Sequence, residues 1–94
     1  MELARYTVEV RVPDSGWADL QRATALARRA TDDLRREGEQ VRFLRSIFVP
    51  EDGACFFLYE GPSAEAVRAA AVRAQLGVGR VDAALRLDDE EEAS

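Results

Sequence analysis

The side chains best suited to chemistry in this chain are arginines, carboxylates and two tyrosines, because histidine is absent. Imidazole is the most common general base and the most common transition-metal ligand in proteins, so both roles lack their usual residue. A nucleophile activated by histidine within one chain is therefore excluded. The single cysteine, Cys55, is predicted to be a small core or interface residue, since no basic neighbour in sequence would activate its thiol.

Four side chains are candidate ligand-binding residues: Arg45, Tyr59, Glu9 and Arg11. Arg45 interrupts an otherwise apolar alternating stretch, and a guanidinium there could hold a carboxylate or phosphate of a ligand. The alternative for Arg45 is an edge-strand arginine that reaches solvent or pairs with an acid such as Glu60. A tyrosine such as Tyr59 serves as an acid or base only when its pKa is shifted. No residue is assigned a catalytic role.

No group of residues has the spacing of a metal site, and no cofactor is predicted. The acids Glu51 and Asp52 could touch a hard cation weakly. They stand between Pro50 and Gly53, however, in a sequence typical of an ordinary turn.

The charge is unevenly distributed along the chain. Of 18 acidic side chains, five are consecutive, Asp88 to Glu92, and the rest match the 13 arginines in number. Without a basic excess to displace counterions, a nucleic-acid partner is disfavoured. The sequence has neither an apolar run long enough to span a membrane nor the features of a signal peptide at MELARYTVEV. With a single cysteine, a cytoplasmic protein is expected.

The apolar periodicity predicts six elements in the order β-α-β-β-α-β. Strand alternation over Leu3 to Val12 is followed by helical spacing over Trp17 to Glu37, a hairpin over Val41 to Glu60, a helix capped by Ser63, and a last strand ending at Leu87. With right-handed crossovers this order is the ferredoxin-like α+β sandwich, a four-stranded antiparallel sheet with two helices on one face. The first and third strands should be central. We expect one domain over 1–87, of the dimeric α+β barrel type, and a disordered acidic tail over 88–94.

The hairpin is unusual because both of its faces are apolar. Pairing Val49 with Ala54 puts Arg45 opposite Leu58 and Phe43 opposite Glu60. One face then carries Val41, Phe43, Arg45, Ile47, Phe56 and Leu58, and the other carries Leu44, Ser46, Phe48, Cys55, Phe57 and Tyr59. The pattern does not decide which face the helices cover.

Either choice leaves several large apolar side chains on the uncovered face of the sheet, which is more than a soluble monomer usually exposes. A homodimer in which two sheets face each other would bury them. Phe48, Phe57 and Leu44 are the candidate interface residues.

Three functional hypotheses remain open. The first is a non-catalytic, homodimeric binding module for a small molecule or a protein partner. The second is a cofactor-free enzyme of the dimeric α+β barrel type, a monooxygenase or cyclase acting on an aromatic or polyketide-like substrate in a chamber at the interface. The third is a structural or regulatory partner that uses the acidic tail for docking.

The run from Cys55 to Arg68, C-F-F-L-Y-E-G-P-S-A-E-A-V-R, is the most specific part of a longer stretch, Val41 to Val81, that resembles a known family. This is the small nickel-binding, ferredoxin-like domain family, otherwise classed as a domain of unknown function. The resemblance implies a ferredoxin-like fold, a dimer and metal binding. Where the family has histidines, however, this chain has Arg45 and Ala70. We therefore expect a branch that lacks the metal site, and Arg45 suggests an anionic ligand in its place.

Overall fold

The computed structural model describes residues 3–11 and 17–84, with only the backbone of Trp17. Its helices and strands are β1 (Ala4–Arg11), α1 (Trp17–Arg36), β2 (Arg42–Val49), β3 (Ala54–Gly61), α2 (Ala64–Arg73) and β4 (Val78–Ala84). The predicted element order and the ferredoxin-like α+β class are confirmed. No helix in the described part of the chain is both long and apolar enough to cross a membrane.

The four strands form one antiparallel sheet in the order β2-β3-β1-β4, so the first and third strands are central, as predicted. Helix α1 packs mainly against β2, and α2 packs against β4 and the two central strands. Strand β2 therefore forms one free edge of the sheet, beside α1.

The core lies between the sheet and the two helices. The predicted helical stripes are confirmed: Leu20, Ala27 and Ala30 of α1 are buried, and so are Val67, Ala70, Ala71 and Ala74 at α2. The predicted cap also forms, because the hydroxyl of Ser63 accepts a hydrogen bond from the main-chain N–H of Ala66.

Gly61, where β3 ends, allows α2 to approach the sheet closely. A Cβ atom at this position would lie 3.1 Å from Cγ2 of Val67 and 3.5 Å from Cγ2 of Val41. The absence of a side chain here and the alanines of α2 together let the helix pack directly on the strands.

The hairpin register agrees with the prediction from Val49 opposite Ala54 as far as Arg45 opposite Leu58. It then shifts between Phe43 and Arg45, so Phe43 lies opposite Tyr59 and not opposite Glu60. The physical reason is a β-bulge at Leu44, which adds one residue to β2 and reverses the direction of every side chain before it. Phe43 consequently packs under the helices, contrary to the strict alternation.

Helix α2 ends at Arg73, and β4 begins at Val78. The pairing of β1 with β4 shifts in register between Glu9 and Val10, which is a second irregularity of the sheet. The predicted continuation of the last strand through Leu87, and the acidic tail, lie outside the described residues.

Candidate functional site

The face of the sheet opposite the helices, here called the open face, carries most of the candidate residues. Cross-strand pairing fixes its membership, because directly opposed residues point to the same side of a sheet. Its side chains are Arg5, Thr7, Glu9, Arg11, Arg42, Arg45, Ile47, Val49, Ala54, Phe56, Leu58, Glu60, Arg80, Asp82 and Ala84.

The centre of the open face is apolar on the β2–β3 side. Ile47 stands opposite Phe56 in the register, and Leu58 stands opposite Arg45. Ile47 retains 47% of its surface exposed, while Phe56 and Leu58 are partly exposed. Together with Val49 they form a contiguous apolar patch, which marks an interaction surface more often than an ordinary monomer surface.

Charged side chains occupy the β1–β4 side of the open face and its ends. Arg5 Nε lies 3.9 Å from Glu60 Oε2, and Arg11 Nη2 lies 3.7 Å from Glu9 Oε2. Both separations are close to the 4.0 Å limit for an ion pair and all four side chains keep some contact with solvent, so each pair contributes little stability by itself. Arg11 also donates a hydrogen bond of 3.0 Å from Nη1 to the main-chain carbonyl of Asp52, which connects β1 to the hairpin turn.

Arg45 projects from the open face and is exposed. The acid considered as its partner, Glu60, pairs with Arg5 instead. Within residues 3–11 and 17–84, no carboxylate lies within 4.0 Å of the Arg45 guanidinium. Arg45, Glu9 and Arg11 thus share one surface, with Arg45 separated from the other two by the apolar patch.

Tyr59 does not share that surface. It is fully buried beneath the helices, and its hydroxyl has no hydrogen-bond partner within the described structure. Burial raises its pKa well above the usual range, so the hydroxyl is neutral and cannot serve as a base. The candidate ligand-binding role of Tyr59 is therefore corrected: it is a core residue, away from the open face.

The interface candidates from the sequence also lie elsewhere. Phe57 is fully buried in the core, and Phe48 is on the helix side of the sheet, 37% exposed at its edge. Leu44 is the bulged residue and is half-buried. The apolar patch comes instead from the other face of the hairpin. The register between β1 and β3 decides this, because Val8 of β1 is paired with Phe57 and both point toward the helices.

Cys55 is buried at the floor of a groove of about 300 Å³ between α1 and β2. Burial raises the pKa of its thiol, which therefore stays protonated and unreactive, in agreement with the predicted core role. The hydroxyls of Thr24 and Ser46 are hydrogen-bonded to each other across the same groove, at 2.9 Å.

The residues present do not fit a nickel site. Arg45 is on the open face, whereas Ala70 is on the buried side of α2, across the sheet, so the two positions do not converge within one chain. No group of three or more cysteine or carboxylate ligands occurs in the described ranges, and the whole chain has no histidine. Cys55, the one cysteine of the chain, is buried.

Two comparisons with known proteins agree with this fold. The chain matches the family model "Nickel responsive protein SCO4226-like" over residues 6–83. It is also similar to the crystal structure of SCO4226 from Streptomyces coelicolor A3(2), with 25% identity and a TM-score of 0.66 over 88% of this chain and 98% of that one. No curated protein matches. The family resemblance inferred from the Cys55 to Arg68 run is thus confirmed, and the chain belongs to the SCO4226-like nickel responsive protein family.

Proposed function

We propose that this protein is a homodimeric binding module in which the open faces of two sheets pack together and hold a small anionic molecule or a protein partner. The observation that carries the proposal is the apolar patch of Ile47, Val49, Phe56 and Leu58, left uncovered by the helices of its own chain. Burying a single side chain of this size contributes roughly 1.5–3 kcal/mol, so a second copy covering the patch gains substantial free energy.

The charged part of the open face supports the binding role. Arg45 has no acidic partner in the described structure, while Glu9 and Arg11 occupy the same face beyond the apolar patch. When two such faces meet, these side chains line or rim the shared space. A guanidinium held there in a partly dry environment suits a carboxylate or phosphate, because it presents two parallel N–H donors.

The competing enzyme hypothesis has less support. A chamber between two open faces cannot use Tyr59 for proton transfer, because Tyr59 is enclosed in the core. Only Glu9, Arg11 and Arg45 remain for such a chamber, and Glu9 is already paired with Arg11. The geometry therefore favours binding over proton-transfer catalysis.

The family description speaks of a nickel response, but this chain supplies no fitting ligand set. We propose that an organic or inorganic anion, and not a metal cation, occupies the site in this branch.

Sedimentation equilibrium of the purified protein tests the dimer. Ile47→Glu places a charge in the apolar patch and is expected to raise the dimer dissociation constant by at least about a hundredfold. Val72→Glu is the matched control, because Val72 is 60% exposed on α2 and lies off the open face. A wild-type protein that stays monomeric at high concentration, or equal effects of both variants, contradicts the proposal.

Native mass spectrometry of the same samples tests the ligand. A co-purifying small molecule that is lost in Arg45→Gln but kept in Arg68→Gln supports binding at the open face. Arg68 is a suitable control, since it is an exposed arginine on α2, off the open face. If Arg45→Gln retains the ligand, Arg45 is not part of the binding site.

A further inference from the structure

A second concentration of positive charge lies away from the open face, in a cleft between α1 and the outer edge of β2. Its wall consists of Arg28, Thr31, Asp32, Arg35, Arg42 and Phe43, which enclose about 160 Å³. A neighbouring groove of about 320 Å³ shares Arg35 and Arg42 with it, so the two depressions adjoin. We call the smaller one the arginine cleft.

Three arginines meet in this cleft because of how the elements pack. Arg28 and Arg35 are seven residues apart on α1, which places them on one side of the helix two turns apart. Arg42 is the first residue of β2, at the free edge of the sheet. Its register partner is Glu60, so it belongs to the open-face row and lines the cleft from the edge of the sheet. The cluster cannot be recognised from the sequence, because it forms only when α1 packs against β2.

The charges in the cleft are not neutralised by the described part of the chain. No carboxylate there lies within 4.0 Å of Arg28, Arg35 or Arg42, although most other described arginines have such a partner. Asp32 belongs to the cleft wall but forms no ion pair with these three, so the wall carries a net positive charge. Arginines gathered around a concavity without counter-charges are suited to a multiply charged anion.

Phe43 gives the cleft a rigid floor. The guanidinium carbon of Arg28 lies 5.1 Å from the centroid of the Phe43 ring. A guanidinium stacked on an aromatic ring keeps its N–H edge available for a ligand while its orientation is restrained. Phe43 holds this position because the bulge at Leu44 turns it under the helices.

We propose that the arginine cleft is an oxyanion-binding site for a group with two or more negative charges, either a phosphate or clustered carboxylates. It is separate from the ligand site proposed on the open face. Two sources can supply this chemistry: a free anion in solution, or the acidic segment Asp88 to Glu92 of the chain itself.

The acidic segment follows β4 closely enough in sequence to be one of these two sources. Ala84, where β4 ends, lies in one row of the sheet with Arg5, Glu60 and Arg42. Three strand spacings separate Ala84 from Arg42 along this row, or about 14 Å. The four residues from Ala84 to Asp88 can extend about 13 Å, just short of this distance, and each residue after Asp88 adds about 3.3 Å, so the later acids of the segment can span it.

The test is an NMR titration that observes the arginine Nε–H signals at constant ionic strength, with inorganic phosphate and citrate as probes and chloride as the reference anion. Saturable shifts at Arg28, Arg35 and Arg42 are expected. Arg35→Gln should weaken binding by about tenfold or more, because Arg35 lines both depressions. Arg68→Gln, which removes the same charge from α2, should change it less than about twofold.

The two sources are distinguished by a full-length variant in which all five acids are neutralised: Asp88→Asn, Asp89→Asn, Glu90→Gln, Glu91→Gln and Glu92→Gln. If the tail occupies the cleft, the three arginine signals of this variant differ from those of the wild type before any probe is added. The variant then also binds citrate more tightly than the wild type. If free anions are the ligands, both proteins bind the probes equally, which also supports the site. Absence of saturable shifts in both proteins, or equal weakening by Arg35→Gln and Arg68→Gln, overturns the proposal.

Discussion

The ring of Phe43 lies edge-on against the ring of Tyr59, with centroids 5.4 Å apart and an interplanar angle of 61°. Strict alternation along β2 would place these two aromatic residues on opposite faces of the sheet. The β-bulge at Leu44 brings them together, and Phe57 joins them with a centroid 5.9 Å from that of Phe43. The bulge therefore completes the aromatic core and also sets the floor of the arginine cleft.

Replacement of Phe43 by alanine should destabilise the protein strongly. The change removes a nearly buried ring and its contacts with two aromatic neighbours, which typically costs about 3–5 kcal/mol. Urea unfolding followed by circular dichroism measures the loss. Phe48→Ala is the control, since Phe48 is on the same strand but more exposed. An effect of Phe43→Ala no larger than that of Phe48→Ala would contradict the placement of Phe43.

Gly61→Ala should be destabilising while Gly77→Ala should be tolerated. The new methyl group at position 61 would lie 3.1 Å from Cγ2 of Val67, closer than an ordinary contact, whereas an added Cβ at Gly77 meets no atom within 4 Å. Overpacking of this kind costs typically 1–3 kcal/mol, because the buried Val67 side chain must shift within a packed core. Thermal unfolding of both variants gives the comparison. Equal melting temperatures would show that α2 does not pack as closely as described.

Alkaline pH should reduce the free energy of unfolding through Cys55 and Tyr59. Burial raises the pKa of both groups in the folded protein, so the unfolded chain releases these protons first. The two groups contribute fully to the free energy of unfolding below their pKa values in the unfolded chain, about 8.5 for cysteine and 10 for tyrosine. Each contribution is lost as the pH rises above the corresponding pKa.

Chemical denaturation between neutral and strongly alkaline pH measures this decline. Cys55→Ala should reduce the decline at the lower end of this pH range, and Tyr59→Phe should reduce it at the upper end. Tyr59→Phe should in addition be neutral or stabilising near neutral pH, because it removes a buried hydroxyl without a hydrogen-bond partner in the described structure. A wild-type curve that does not fall with pH would contradict the burial of both groups.

Nickel should not bind with defined stoichiometry to the full-length protein at neutral pH. The chain has no histidine, and its one cysteine is buried with a raised pKa that opposes thiolate formation. Calorimetric titration with NiCl2, alongside metal analysis of the purified protein, measures this directly. One equivalent of tightly bound nickel would require a ligand set outside the described residues or shared between chains.

The sequence alone was sufficient for the fold and for much of the core. The alternation over Leu3 to Val12, the stripes of both helices and the cap at Ser63 are local patterns, and each maps onto one element whatever its neighbours do. The family followed from the Cys55 to Arg68 run for the same reason, since a continuous segment carries it.

Only the tertiary structure decided which hairpin face the helices cover. Both faces are apolar, so local periodicity favours neither, and the choice depends on the pairing of β1 with β3 and on the bulge at Leu44. That choice buries Tyr59 and Phe57, exposes Ile47 and leaves Arg45 beside the apolar patch. The arginine cleft likewise depends on contacts between residues distant in sequence, because Arg42 joins Arg28 and Arg35 only when α1 packs against β2.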